Sequence, residues 1–260
     1  MKFISINRNL FDLFVQLVKT SFKMRYQNSI LGVLWVLIKP YSTFLVMYLV
    51  WTKILNQNIP NYPIYLLLGI IFYTFVNELV IIGQMSLIDR AGIILKVNFP
   101  RQIAVLSSLV SALINLGINL ILVIILMLSS GIAVTLSGIL YCLFIAMIIF
   151  IFCWGLAFFT SIISIRFRDL KNILELGMFL LYWVTPILFT VSSGLIPSTF
   201  TSVVAGNPLG ILLNQVRAGF NIYDQVNIPL MLLYMFCAIV FAVLGGVFFQ
   251  HNVKRIAEYF

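Results

Sequence analysis

The chain has 260 residues, of which 62% are hydrophobic and 9% are charged. Soluble domains carry about 25% charged residues, so this composition, with a mean hydropathy of +1.12, excludes an ordinary soluble domain. The net charge of +9 comes from basic residues at the ends of apolar segments rather than in one patch, which argues against nucleic-acid binding. The apolar segments reach the roughly 20 residues of a membrane-spanning helix. The sequence therefore predicts an all-α integral membrane protein.

Residues 8–30 precede the first apolar segment and have the pattern of an amphipathic helix. Polar side chains recur there at intervals of three and four residues, which places them on one helical face, and apolar side chains fill the opposite face. This pattern is typical of a helix lying in the membrane interface. A plain topology signal before the first span is the alternative. The polar stripe consists of Asp12, Gln16, Lys19, Lys23 and Gln27.

Six membrane spans follow, and their even number places both termini on one side of the membrane. Thirteen Lys and Arg residues fall in the termini and the even-numbered loops, against two, Lys53 and Arg217, in the odd-numbered loops. By the positive-inside rule, both termini are therefore predicted to be cytoplasmic. The predicted spans cover residues 31–54, 62–84, 102–129, 137–164, 173–191 and 228–249.

Two loops carry structure of their own. The loop 85–101 is long and contains the apolar run 93–95, which suggests a docking element for a cytoplasmic partner; an ordinary interfacial loop is the alternative. In the outer segment 192–227, Asn207-Pro208 is a helix-start signal. The apolar run after it is too short to span, so we expect an outer re-entrant helical segment, or else a loop packed on the outer face.

Polar and aromatic side chains inside the spans are the candidate functional residues. The third span carries four polar residues at intervals of four, which indicate helix packing or, less conventionally, a pore lining. The fifth span carries aromatic rings on one face, which favour a protein core or an interfacial belt, with stacking on sugar faces as the alternative. Intramembrane charges are functional candidates by default, although Lys39 could extend to the interface. The polar residues of the third span are Ser107, Ser111, Asn115 and Asn119. The face of the fifth span consists of Phe179, Tyr182, Trp183 and Pro186, and the two intramembrane charges are Lys39 and Glu78.

The chemistry of an enzyme is not visible in the sequence. There is no GxxxxGK[ST] phosphate loop, so ATP hydrolysis by that route is excluded. The only histidine is His251, and no pair of carboxylates shares a face where a general base or a metal site is needed. We therefore expect no cofactor or metal on this chain.

Four stretches together resemble one family. They are FKMRYQNSILGVLWVLIKP at 22–40, LIDRAGIILKVNFPRQIAVLSSLVSALINL at 87–116, SIRFRDLKNILELGMFLLYWVTPILF at 164–189 and NPLGILLNQVRAGF at 207–220. In this order they resemble ABC-2 type permeases that export cell-surface polysaccharides such as O-antigen, capsule and teichoic acid.

The resemblance implies a single domain, 1–260, with a six-span core at 31–249 and a cytoplasmic tail at 250–260. Within 8–30, it implies an interface helix at 8–21 and a gate helix at 23–30. Leu31-Gly32 would form a moving corner, where Gly32 permits unusual backbone angles. Lys23 and Arg25 would offer positive charge to a lipid-linked pyrophosphate at headgroup depth.

The resemblance also implies a homodimer with two separate ATPase subunits, which would carry ATP and Mg. The chain would be the permease that moves a lipid-linked polysaccharide across the bacterial cytoplasmic membrane. A drug or small-lipid exporter and a membrane enzyme of lipid-linked glycan synthesis are the alternatives. The implied ATPase contacts are Asp89, Arg90, Ile94, Lys96, Phe99, Pro100 and Arg101. The candidate channel-lining residues are Phe179, Tyr182, Trp183, Ser111 and Asn115.

Overall fold

A computed structural model of the chain describes residues 8–26, 29–54, 61–94, 96, 99–190 and 198–253. These residues form helices and connecting segments, and no β-strand occurs among them. The predicted all-α fold is confirmed. In chain order the helices are α1 (Arg8–Tyr26), α2 (Trp35–Leu49), α3 (Tyr62–Met85), α4 (Ala91–Ile94), α5 (Gln102–Ser129), α6 (Leu136–Arg166), α7 (Leu170–Val184), α8 (Ser198–Ala205), α9 (Pro208–Gly219) and α10 (Ile228–Asn252).

Helix α1 is amphipathic, as its spacing predicts. The polar stripe is exposed from Asp12 to Lys23, whereas Leu17 on the opposite face is buried; Gln27 lies outside the described residues. The helix is continuous across the predicted boundary at residue 22. Its sequence contains no glycine or proline that would interrupt it, so the interface helix and the start of the predicted gate helix form one element.

In the part of the chain that the structure describes, five helical segments are long and apolar enough to cross a membrane, and they coincide with the first four and the last of the predicted spans. The first begins with a 3₁₀ turn at Gly32–Leu34, continues as α2 and ends in a π-helical turn at Val50–Ile54. The others are α3, α5, α6 and α10. The chain is therefore a membrane protein by composition and by helix length.

Helix α7 is shorter than the predicted span 173–191. It has 15 residues and ends at Val184, so its length is about 22 Å against the roughly 30 Å of a bilayer core. Pro186 has no amide hydrogen to continue the helix, and it drives Thr185 into an extended conformation, with φ −87° and ψ 135°. A sixth continuous span is therefore not confirmed.

The outer segment contains the predicted helix start. The Asn207 side chain accepts a hydrogen bond from the Leu209 amide at 3.0 Å, and Pro208 is the first residue of α9. Helix α9 packs against α6 and α3. That this segment is re-entrant stays a prediction.

Helix α3 forms the centre of the bundle and packs against α2, α5, α6, α7 and α9. Most of its side chains are buried. Helices α6 and α10 approach closely at two glycines: a Cβ at Gly245 would lie 2.5 Å from the Gly155 carbonyl oxygen. Small residues permit such contacts between membrane helices. The resulting core fixes the helices that carry the candidate site.

Candidate functional site

A cavity of about 760 Å³ lies between α2, α3 and α7, next to the corner that precedes α2. Its wall combines charged, amide and aromatic side chains within segments that are otherwise apolar. The charged and amide groups are Lys39, Asn77, Glu78 and Glu175. Such groups are costly in a membrane unless they face protein or water. The cavity supplies that environment.

The polar residues of α5 approach this cavity at Asn115 and Asn119, which both line a small adjoining pocket. Asn115 Nδ2 donates a hydrogen bond to Glu78 Oε2 at 2.8 Å, and an adjoining small pocket contains Asn115, Glu78 and Lys39. Ser111 is different: it is buried, and its hydroxyl donates to the carbonyl of Ser108 in its own helix at 2.6 Å. The structure therefore brings Asn115 to the cavity and leaves Ser111 in helix packing.

The aromatic candidates on α7 separate in a similar way. Phe179 and Tyr182 line the cavity, and the Tyr182 ring meets Tyr73 of α3 edge to face at 4.9 Å between centroids. The Tyr73 hydroxyl also donates to the Met178 carbonyl, which ties α7 to α3. Trp183 does not line the cavity and is 53% exposed on the outer face of α7.

The backbone beyond α7 is irregular, but its carbonyls from Pro186 to Phe189 accept hydrogen bonds. Residues 185–190 are mostly buried, where an unpaired carbonyl would be costly. Each of the four carbonyls from Pro186 to Phe189 accepts a side-chain hydrogen bond. The donors are Arg217 to Pro186 at 2.9 Å and to Ile187 at 3.3 Å, Tyr62 to Leu188 at 3.0 Å, and Tyr65 to Phe189 at 2.9 Å. The carbonyls at the helix break are thus satisfied by side chains of α3 and α9.

Arg217 is the central donor at this break, and sequence reasoning missed its role. It was counted as an outer-loop charge, yet it is completely buried. Its guanidinium lies 3.4 Å from the centre of the Tyr65 ring, and Nε donates to the Tyr65 carbonyl at 3.2 Å. A Cβ at Gly69 would lie 2.6 Å from Nη2, so glycine makes room for it. A basic residue within the short apolar helix α9 was the available signal.

The loop after α3 presents only some of the residues implied as ATPase contacts. Asp89, Lys96 and Pro100 are exposed. Three others do not lie on the exposed surface of the loop, because Arg90 is 5%, Ile94 8% and Phe99 9% exposed. Arg101 is half-buried and donates to the Val253 carbonyl at the end of α10.

Within the short helix α4 of this loop, the exposed isoleucine is Ile93 rather than Ile94. It is 36% exposed, whereas its neighbour points into the core. Adjacent residues of a helical turn face different directions, so the sequence could locate the apolar run but could not say which member of it faces outward.

Arg90 connects the loop to two helices. Its Nη1 donates to the Ala104 carbonyl of α5 at 2.6 Å and to the Ser107 hydroxyl. Its Nη2 donates to the Ser21 hydroxyl of α1 and to the Leu17 carbonyl at 3.5 Å. Burial lowers the pKa of Arg90 to about 10, against a smaller opposing effect of Asp89. The guanidinium therefore remains charged at neutral pH.

The corner before α2 has the backbone that its glycine permits. Gly32 has φ +47°, in the left-handed region, and its amide donates to the Ser29 carbonyl at 3.1 Å. Leu31 is exposed there, and so is Lys23 on α1. The backbone of Arg25 belongs to α1, but its side chain lies outside the described residues. The proposed pyrophosphate role of Lys23 and Arg25 stays a prediction.

The fold and this site define a polytopic helical membrane protein with a polar and aromatic cavity among its spans. The family model described as ABC-2 type transporter matches residues 12–221, and the chain belongs to that family. It is similar to the "O-antigen export system permease protein RfbA" of Klebsiella pneumoniae, with 28% identity over 96% of this chain and 95% of that protein. A protein of the same description from Myxococcus xanthus is 30% identical over 80% of each chain.

Proposed function

We propose that this chain is the transmembrane permease subunit of an ATP-driven exporter, and that it moves a lipid-linked cell-surface polysaccharide across the bacterial cytoplasmic membrane. The observation that carries the proposal is the cavity between α2, α3 and α7, where aromatic rings and hydrogen-bonding groups occur together inside the spans. Rings stack on sugar faces, and amide and carboxylate groups bind sugar hydroxyls. Family membership and the two export permeases support it.

A second copy of the chain would complete the conduit. Helix α7 places Phe179 and Tyr182 in the cavity, while Ile173, Leu176 and Trp183 form an exposed apolar surface on the same helix. This surface can face lipid or the second copy. In the homodimer, the two cavities would border one path for a chain that is too long to be enclosed. Both termini would be cytoplasmic, as the charge bias predicts.

Two separate ATPase subunits would bind the loop 86–101 and carry ATP and Mg. The described residues of this loop include exposed acidic, basic and apolar side chains, namely those of Asp89, Lys96, Ile93 and Pro100. Polar and apolar groups together are typical of non-obligate interfaces.

The lipid-linked pyrophosphate would be received near the corner at Gly32. Lys23 is exposed on α1, and positive charge at this depth attracts phosphate groups. The left-handed Gly32 turns the chain from α1 toward the first span. The sugar that the lipid carries is not specified by these features, which recognise phosphate and the faces of sugar rings in general.

Co-purification from the native host in mild detergent tests the proposal. We expect a P-loop ATPase in equal amount, identified by mass spectrometry, and loss of surface polysaccharide when the permease is deleted. A chain that purifies alone and synthesises glycan, or that exports a drug or small lipid, would contradict it. Co-purification therefore tests the enzyme alternative, and the loss of surface polysaccharide on deletion tests the drug or small-lipid alternative.

The docking surface is tested by Ile93→Asp. We expect ATPase recovery to fall about tenfold or more, because a charge replaces an apolar contact. The matched control is Val226→Asp, a similarly exposed apolar residue in the segment that follows α9. Val226 lies beside Gln215 of α9, and α9 contacts α3 near Tyr65, at the start of α3. The control is therefore at the opposite end of α3 from the loop. Equal ATPase recovery in both variants would remove Ile93 from the interface.

A further inference from the structure

Arg90 is buried in a place where its side chain cannot contact a partner, yet its loop is the one that the proposed function assigns to the ATPase. Its guanidinium contacts the backbone or side chains of two helices that are distant in sequence: α1, through Ser21 and Leu17, and α5, through Ser107 and Ala104. A buried charge needs such hydrogen bonds to offset its desolvation. The question is what this connection does.

The hydroxyl groups in this cluster are oriented as acceptors for Arg90. The Ser21 hydroxyl donates to the Leu17 carbonyl at 2.8 Å, and the Ser107 hydroxyl donates to the Ile103 carbonyl at 2.6 Å. Each hydroxyl proton is thus used within its own helix, and the oxygen lone pairs accept from the guanidinium. The two serines hold Arg90 from opposite sides, and each can be removed without the other.

Helix α1 packs mainly through its apolar face, where Leu10, Leu13 and Phe14 are partly buried against the core. Among the described elements its substantial contact is with α5, and only Leu17 of its described side chains is fully buried. The opposite face of α1 carries the exposed polar stripe. The guanidinium bonds therefore add a polar connection between α1, the loop and α5 to this apolar packing. Charge-assisted hydrogen bonds of this kind are also stronger than neutral ones.

We propose that Arg90 is a positioning residue that makes the loop 86–94 and helix α1 move together. A force applied to the exposed residues of the loop would then displace α1 as well, without a direct ATPase contact to α1. This inference rests on the proposed function for the origin of the force, but the connection between loop and helix does not.

The connection is tested first on the purified permease alone, by hydrogen–deuterium exchange. We expect Ser21→Ala and Arg90→Gln to accelerate exchange of the α1 amides about tenfold or more, as the loss of a charge-assisted hydrogen bond implies. Thr20→Ala is the matched control, because Thr20 is exposed on the same helix. Unchanged α1 exchange in Arg90→Gln would overturn the proposal whether or not an ATPase is found.

The coupling is tested in the complete transporter, by measuring complex assembly, ATP hydrolysis and export in the same variants. We expect Ser21→Ala to assemble and hydrolyse ATP as the unaltered chain does, while export per ATP hydrolysed falls about threefold, and about tenfold in Arg90→Gln. Thr160→Ala is a second control, since Thr160 is buried on α6 and its hydroxyl donates to the Leu156 carbonyl of its own helix. A fall in export that only follows the amount of assembled complex would overturn the coupling role.

Discussion

Two buried arginines lie near opposite ends of helix α3 and stabilise their surroundings in different ways. Arg217, near the start of α3, donates mainly to backbone carbonyls of a broken helix and stacks on Tyr65. Arg90, beyond the end of α3, donates to two serine hydroxyls and two carbonyls. These acceptors belong to α1 and α5, which are helices with backbone hydrogen bonds of their own. The first arginine replaces missing backbone hydrogen bonds, and the second joins elements that are already formed.

This difference predicts different consequences of their loss. Without Arg217, buried carbonyls at the break would lose donors in a place that water cannot easily reach, so the fold itself should suffer. Without Arg90, α1 and α5 keep all of their helical hydrogen bonds, and only their relative position becomes less defined. We therefore expect loss of Arg217, at the start of α3, to affect mainly stability. Loss of Arg90, beyond its end, should affect mainly the transmission of movement.

The largest expected effect is that of Arg217→Leu. The carbonyls of Tyr65 and Ile187 lose the guanidinium as a donor, and we expect a loss of about 3 kcal/mol or more in the free energy of unfolding. Thermal or SDS-induced unfolding in detergent measures it, with Arg168→Gln as the control because Arg168 is exposed. An unfolding midpoint equal to that of the control would show that the break does not depend on Arg217.

A smaller effect is expected for Tyr65→Phe, which tests the same region with its ring retained. The hydroxyl bonds to Phe189 and Pro186 are lost, while the aromatic face under Arg217 remains. The expected loss is about 1–2 kcal/mol in the free energy of unfolding, measured by the same unfolding assay. A loss as large as that of Arg217→Leu would mean that the tyrosine hydroxyl, rather than the guanidinium, holds the break.

The smallest effect on stability is expected at the corner, with Gly32→Ala. A Cβ there meets no atom within 4 Å, so the cost is the left-handed backbone alone, about 1 kcal/mol. Gly32→Asn is the control, because asparagine tolerates this conformation better. Export and unfolding should both be closer to normal in the asparagine variant. Identical export in the two variants would show that the left-handed corner is not required.

The comparison also shows where sequence reasoning was sufficient. The apolar segments, their lengths and the stripe on α1 follow from local spacing, and five of the six predicted spans agree with long helical segments among the described residues. Asn207-Pro208 marked the start of α9 correctly. Phe179, Tyr182 and Asn115 were selected by type and spacing, and the structure places all three at or beside the cavity.

Other features depend on which segments meet in space. The end of α7 at Val184 had a local cause in Pro186, but nothing local indicates that Tyr62, Tyr65 and Arg217 would satisfy the freed carbonyls. Spacing also could not tell Ile93 from Ile94, or show that Arg90 points inward. Each of these depends on the direction of a side chain relative to a distant helix.

The sequence by itself determined the class of the protein, because the cost of burying polar groups in lipid leaves its signature in composition, in segment length and in the position of basic residues. It also determined the local helix signals at residues 8–26 and 207–219. Only the tertiary structure decided the roles of Arg90 and Arg217. Both are basic residues outside the long apolar helices, and a buried guanidinium is recognised by the acceptors around it, which come from parts of the chain far away in sequence.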